Sequence, residues 1–454
     1  MSENGSPALA PAISDSRTIR AKGARLALGM LLAINLFNYI DRQVLAAVEP
    51  NIREDLLKDD PLEGVKSGLL PFAFLISYMV LSPLFGYLGD RMSRWFLIGI
   101  GVLIWSLASG GSGLAATFVL LLLTRCLVGV GEAAYGPVAP TIISDLYPVK
   151  QRGWVLAWFY MAIPVGSALG FALGSQVAGV EAMGWRWAFY LVVPPGLLLG
   201  LFCFMMRDPQ RGQSDSSDGR PIQHARLADY RTILRTPSYV LNTAGMTAMT
   251  FATGGIAYWM TAYLKARGVS TFLGVNAGTA FGGMLAIAGL VATLTGGLAG
   301  DWLRRWFGGS YFLVSGVAML LGFPAILLVI YVPFPLAWLF LFVAVFCLFF
   351  NTGPTNTILA NVTHPAVRSS AFALNIFVIH LLGDAFSPFI IGGIHDFVSA
   401  QARRNDLDAQ TAELQGLNIG FIVVSILVLA GGIFWLWGAR YLERDTALAP
   451  TRIV

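Results

Sequence analysis

From Trp306 to Val367 the chain runs without one Asp, Glu, Lys or Arg. That is enough for two membrane spans of about 20 apolar residues each, with the hairpin between them. The rest of the 454 residues continues the pattern: 56% are hydrophobic and 12% charged. Soluble domains carry about twice that share of charge. The chain is therefore expected to be all-α and polytopic, because in lipid a helix satisfies every backbone N–H and C=O within itself. Cys126, Cys203 and Cys347 all fall in apolar runs, with neither metal-ligand spacing nor the even count of a disulfide framework. They read as small core residues. No cleavable signal peptide is expected, since the first 25 residues are polar and Arg17, Arg20, Lys22 and Arg25 lead straight into the first span.

A window of about 20 apolar residues places twelve spans. They lie near 25–48, 68–90, 95–113, 117–141, 153–178, 187–206, 238–263, 275–300, 311–331, 335–361, 367–394 and 418–440. With the N-terminus inside, inner segments hold 20 of the 30 Lys and Arg, outer loops hold eight, and Arg42 and Arg125 are intramembrane. This inside-positive bias explains the net charge of +5 without invoking nucleic acid. The expected organisation is a cytoplasmic tail (1–24), a six-helix bundle (25–206), a cytoplasmic linker (207–234), a second bundle (235–440) and a cytoplasmic tail (441–454). Within the linker, RLADYRTILR at 226–235 suits a short amphipathic surface helix.

The halves are copies. GYLGDRMSR (86–94) after span 2 matches GLAGDWLRR (297–305) after span 8, with Gly86, Gly89, Asp90 and Arg94 opposite Gly297, Gly300, Asp301 and Arg305. GPVAPTIISDLYP (136–148) and GPTNTILANVTHP (353–365) share Gly-Pro at one end and Pro at the other. Two six-helix bundles around a central cavity are the architecture such a duplication implies.

These glycine–Asp–Arg loops resemble the signature of the major facilitator superfamily, and the resemblance covers the whole chain. NYIDRQVLAAVEP (38–50), SYMVLSPLFGYLGDR (77–91) and RCLVGVGEAAYGPVAPTIISDLYP (125–148) further resemble its spinster branch, whose eukaryotic members move lysophospholipids and sphingosine phosphates. The compact loops and short tails resemble a bacterial member. An organic-anion symporter branch has a similar first helix, so a small soluble anion stands as the alternative substrate.

Around the signature loops, Gly86 and Gly89 allow two helices to approach closely. Asp90 can cap a neighbouring helix N-terminus, and Arg94 needs a carboxylate. The resemblance implies that the aspartate meets helix 11 and the arginine an acid at the inner end of helix 4, where Asp145 stands. Together with Arg91, these residues are expected to latch the cytoplasmic face of the outward-open state. The second copy, Asp301 and Arg305, has Trp302 in place of the base at Arg91 and is expected to hold more loosely.

The intramembrane charges carry the chemistry. On a wheel of 100° per residue, Asn35, Asn38, Arg42 and Glu49 fall on one stripe of span 1, while Asp41 points toward a neighbouring helix. Arg125 and Glu132, seven apart, share a face of span 4, and Asp41 lies at a depth that suits a pair with Arg125. A charge at the bilayer centre costs about 2.5–3.5 kcal/mol on insertion scales, so such residues face a cavity and find partners. The superfamily resemblance implies that helices 1 and 4 line that cavity.

Arg42 is the candidate counter-ion for an anionic head group, because guanidinium grips phosphate or carboxylate bidentately. Arg125, Asn35 and Asn38 are further candidates for binding. Asp41 is the candidate proton carrier, and Glu132 is a second carrier or a partner for Arg42. A static salt-bridge network is the competing structural reading. In the second half, Asn351, Thr355 and Asn356 are candidates for the cavity wall, and His380 and Asp384 share one face of span 11. A charged first half opposite a neutral, aromatic second half suits an amphipathic substrate.

Gly166, Gly170 and Gly174 form a small-residue stripe on span 5 that suits an antiporter motif or close packing. No Walker sequence, nucleophile elbow or Cys/His metal set is present, so neither an enzyme nor a cofactor is expected. The expectation is a monomeric, proton-coupled secondary transporter of a small amphipathic anion in the bacterial inner membrane. A non-transporting receptor is the minor alternative.

Overall fold

The computed structural model describes residues 23–89, 91–147, 149–180, 182–210, 227–363 and 368–449. In the first half these form α1 (Ala24–Leu56), α2 (Glu63–Gly89), α3 (Arg94–Gly113), α4 (Phe118–Ala133), α5 (Ala139–Leu146), α6 (Val149–Ala178) and α7 (Arg186–Cys203). A short α8 (Leu227–Leu234), where the amphipathic linker helix was expected, precedes α9 (Pro237–Ala266) and a small hairpin of β1 (Thr271–Phe272) and β2 (Val275–Asn276). Then come α10 (Ala277–Leu303), α11 (Ser310–Tyr331), α12 (Ala337–Phe350), α13 (Thr352–Val362), α14 (Arg368–Ile379), α15 (Ser387–Arg404), α16 (Ala409–Gly438) and α17 (Leu442–Leu448). The protein is an all-α membrane protein of twelve spans in two six-helix bundles around a central cavity. Spans 4, 10 and 11 are each built from two helices.

The duplicated Gly-Pro explains two of these breaks. Proline cannot donate to the helix ladder and clashes with the preceding turn. α4 accordingly ends at Ala133, just before Gly136-Pro137, and α13 starts at Thr352 with Pro354 in its first turn, where that residue is tolerated. Span 11 breaks differently, through a π turn over His380–Asp384 with Gly383 at φ −99°, ψ −106°.

Nine spans among the described residues are long and apolar enough to cross a membrane. The other three, α1, α4–α5 and α9, have local reasons to fall short. α1 carries Asp41, Arg42, Glu49 and Arg53, α4 stops after 16 residues, and α9 is interspersed with threonine and glycine.

The glycine stripe on α6 is the seam with α1. A Cβ at Gly166 would lie 2.7 Å from Tyr39 Cβ and 2.8 Å from Leu36 O, one at Gly170 would meet Ile40 O, and one at Gly174 would lie 2.6 Å from Ala47 Cβ. The halves meet along α6–α10, where Phe171 and Phe281 stack edge-on at 5.1 Å, and along α2–α15.

Among the described residues, polar links between halves gather at the face opposite the start of α1 and the end of α16. There Thr261 Oγ1 donates to Ala46 O (2.5 Å), Tyr258 Oη to Ser67 O (2.8 Å) and Lys265 Nζ to Glu54 (2.9 Å), and Arg53 pairs with Glu413. On the terminal face, hydrogen bonds and ion pairs among the described residues stay within one half. The contacts at the opposite face close the cavity there.

Candidate functional site

α1 and α4 cross the first bundle with their charges facing. Arg42 Nε donates to Glu132 Oε2 at 2.8 Å, and Nη2 donates to the same oxygen. Close packing puts Glu132 there: Gly129 of α4 lies against the Phe74 carbonyl of α2, and a Cβ at Gly131 would lie 2.6 Å from Gly101 O of α3. The two partners differ in environment. Glu132 is 1% exposed and Arg42 22%, so the guanidinium presents the open side of the pair. The rings of Tyr39, Phe74 and Tyr78 surround it, at 5.1, 4.8 and 5.6 Å from centroid to Cζ. Aromatic faces attract a guanidinium and exclude water from it. Asn38, one turn before Arg42, sits buried beside Glu132, while Asn35 Nδ2 donates to Phe159 O of α6 at 2.8 Å.

Asp41 turns away from this pair, as the wheel predicts, and lies within electrostatic reach of Arg125. Among the described residues no direct hydrogen bond joins the two, and each is bonded instead by a serine of α3. Ser109 Oγ donates to Asp41 Oδ1, and Asp41 Oδ2 is buried without a hydrogen bond. Arg125 instead donates from Nε (3.2 Å) and Nη2 (2.5 Å) to Ser112 Oγ, one turn further along α3, and lies 5.1 Å from the Phe189 ring centroid. The two serines were not singled out from sequence, since a serine in an apolar run gives no sign of what it will face.

In the second half, Asn351 and Thr355 are fully buried and brace the α12–α13 junction. Asn351 Nδ2 donates to Leu348 O (2.7 Å) and Thr355 Oγ1 to Asn351 O (2.9 Å), while Thr355 O accepts from Asn242 Nδ2 (3.0 Å). Their polar groups are turned to the helix break. Asn356 is exposed and donates to Thr352 O at 2.8 Å. His380 lies 3.0 Å from Asp384 on the π turn and within electrostatic reach of Arg42. Its spacing to Asp384 was visible in the sequence; the π turn that carries both was not.

At the loop after α2, Asp90 lies outside the described residues. Gly86 and Gly89 pack on Pro137 (3.9 Å) and Val138 (3.0 Å) at the break in span 4. Arg94 is buried and reaches Asp145 Oδ2 at 2.5 Å, the partner expected for it. It also donates to Asp208 Oδ1 (2.9 Å) and Pro209 O (2.7 Å), so the start of the linker closes the same clasp. Arg91 is exposed and folds back over its own Tyr87 ring at 3.5 Å. In the second copy Asp301 accepts from Tyr311 Oη at 2.6 Å, and Arg305 is exposed.

Residues 31–388 match the Major Facilitator Superfamily. Over 434 residues the chain is 36% identical to protein spinster homolog 1 of Xenopus tropicalis, covering 92% of this chain and 80% of that protein. It is 37% identical over 458 residues to human protein spinster homolog 1, covering 94% and 83%. It is 34% identical over 440 residues to the mouse sphingosine-1-phosphate transporter SPNS2, covering 92% and 78%. Among solved structures, a bacterial homolog of the human lysosomal transporter spinster, in an inward-facing and unoccupied conformation, has the same fold. Its TM-score is 0.83 at 23% identity, over 94% of this chain and 98% of that one.

Proposed function

The chain belongs to the major facilitator superfamily and to its spinster family, and is a multi-pass membrane transporter rather than an enzyme; on that premise we propose that it moves an amphipathic anion, a lysophospholipid or sphingosine-phosphate-like molecule, by proton-coupled alternating access. It works as a monomer in the bacterial inner membrane, with both chain ends in the cytoplasm. The observation that carries the substrate reading is the Arg42–Glu132 pair: a caged, part-exposed guanidinium backed by a buried carboxylate.

An anionic head group arriving in the cavity competes with Glu132 for Arg42. Its bidentate grip on the guanidinium releases the glutamate, which is then a buried charge without a partner. Taking up a proton relieves that cost, so anion binding and proton binding favour one another. Asp41, hydrogen-bonded by Ser109 and with its other oxygen making no hydrogen bond, is the second proton carrier of this reading.

Two further observations support an amphiphile. An apolar crevice within the second bundle, between α9, α10, α11, α12 and α16, is lined by Ile256, Phe281, Leu285, Leu341, Val345 and Phe421. Thr261 bonds Ala46 O, and α1 and α9 run the same way. Four residues back along each, about 6 Å, sets Ala257 of this crevice level with Arg42. The second bundle is thus apolar at the depth of Arg42. The mouse relative named as a sphingosine-1-phosphate transporter moves a molecule of this chemistry. The cytoplasmic assignment of the terminal face rests on the 20 of 30 Lys and Arg in its segments, and makes the conformation described inward-open.

Flux into proteoliposomes tests the reading, with a labelled lysophospholipid and a labelled small organic anion, each with and without a pH gradient. Gradient-enhanced movement of the lipid alone, with the enhancement lost in Asp41→Asn, is the expected result. Movement of the small anion alone overturns the substrate class.

A further inference from the structure

The closed face has a lock of its own, made by span 11 on the start of span 2. α2 and α15 cross the boundary between halves at a distance only glycine allows. A Cβ at Gly64 would lie 2.6 Å from Gly392 O, and one at Gly68 would lie 2.6 Å from Phe389 Cα. The approach brings the first amides of α2, which have no partner inside their own helix, onto the Asp396 carboxylate. Gly64 N donates to Oδ1 at 2.7 Å and Val65 N to Oδ2 at 2.8 Å, one amide to each oxygen. The positive end of the α2 dipole faces the same group. Asp396 is 8% exposed, and its neighbour His395 is fully buried, with Nδ1 3.1 Å from Asp396 Oδ1 and its ring stacked on Trp259 of α9 at 5.9 Å.

We infer that Asp396 is a positioning residue of the transport cycle. Its carboxylate clasps the N-terminus of α2 when the cavity is open to the terminal face, and must release it each time the cavity opens to the opposite face. The inference rests on the alternating-access reading above. The neighbouring Arg53 group spans the same boundary through Glu413, but it joins exposable side chains. Asp396 holds two backbone amides that are fixed to α2 itself, so its bonds report the separation of the two helices directly.

Spin labels at Lys58→Cys and Arg404→Cys report that parting. Both positions are exposed, one on the loop after α1 and one at the end of α15, in opposite halves at this face, in a chain whose three native cysteines are changed to alanine. Distances are measured in the full-length protein in lipid nanodiscs, at neutral and acid pH and with lysophospholipid added. Asp396→Asn turns one acceptor into a donor facing an amide. It is expected to raise the ratio of long to short distances about tenfold, as loss of a charge-assisted bond should. Val65→Pro removes one amide from the first turn, where proline is tolerated, and should act in the same direction if the Asn variant does not fold. Unchanged distances in either folded variant, beside a parent that interconverts, overturn the clasp. A parent fixed at one distance under every condition overturns alternating access instead, and the clasp with it.

Discussion

Removing one partner of the Arg42–Glu132 pair should cost very different amounts depending on which is removed. Arg42→Met keeps the stem packed among Tyr39, Phe74 and Tyr78 but leaves Glu132, 1% exposed, without its counter-charge. Breaking a buried pair this way costs about 3–5 kcal/mol. Glu132→Gln leaves Arg42 charged but 22% exposed to the cavity and still among three rings, so water replaces part of what is lost. About 1–3 kcal/mol is expected, as for loss of a hydrogen bond to a charged group. The double variant removes both charges, and its loss should fall short of the sum by about 2–3 kcal/mol. Unfolding in mixed lipid–detergent micelles, followed by tryptophan fluorescence for the four proteins, measures the cycle. A double variant whose loss equals the sum to within about 0.5 kcal/mol refutes the pairing as an energetic unit.

Ser109→Ala removes the one hydrogen bond to Asp41. It should reduce pH-gradient-driven uptake about tenfold, the equivalent of one such bond, while leaving gradient-independent exchange closer to normal in the same vesicles. Gly170→Leu drives a side chain into Ile40 O on the α1–α6 seam; thermal melting should register about 1–3 kcal/mol of overpacking. Arg94→Ala takes the guanidinium from Asp145, Asp208 and Pro209 at once, and limited proteolysis should then cut the linker near 209 several-fold faster, as expected for a tether that loses these bonds. Ala257→Trp narrows the apolar crevice level with Arg42 and should shift preference from long-chain toward short-chain lysophospholipids in competition assays, with head-group discrimination unchanged.

Much of this protein is legible in local pattern. Uncharged runs such as 306–367 require lipid, and the echo of Gly136-Pro137 in Gly353-Pro354 marks the halves as copies and foretells the breaks in spans 4 and 10. The helical wheel separates Arg42 from Asp41, because face is a property of one helix and its 3.6-residue repeat. Arg94 and Asp145 were readable as a pair through the family resemblance of their loop. What each buried charge touches was not readable. Asp41 bonds Ser109 and meets Arg125 only at longer range, since sequence spacing carries no information on which side chains of α3 the two will reach. Asn351 and Thr355 had the composition of a cavity wall, yet the break beside them exposes carbonyls that claim their polar groups. Nor does any local pattern say which face is shut. That depends on Gly64, Gly68 and Gly392 meeting across some 330 residues of chain to bring an aspartate onto two backbone amides. Sequence determined the solvent, the repeat and the faces, which are set by each helix alone; tertiary structure decided the partners and the closed side, which exist only once helices from both halves are packed.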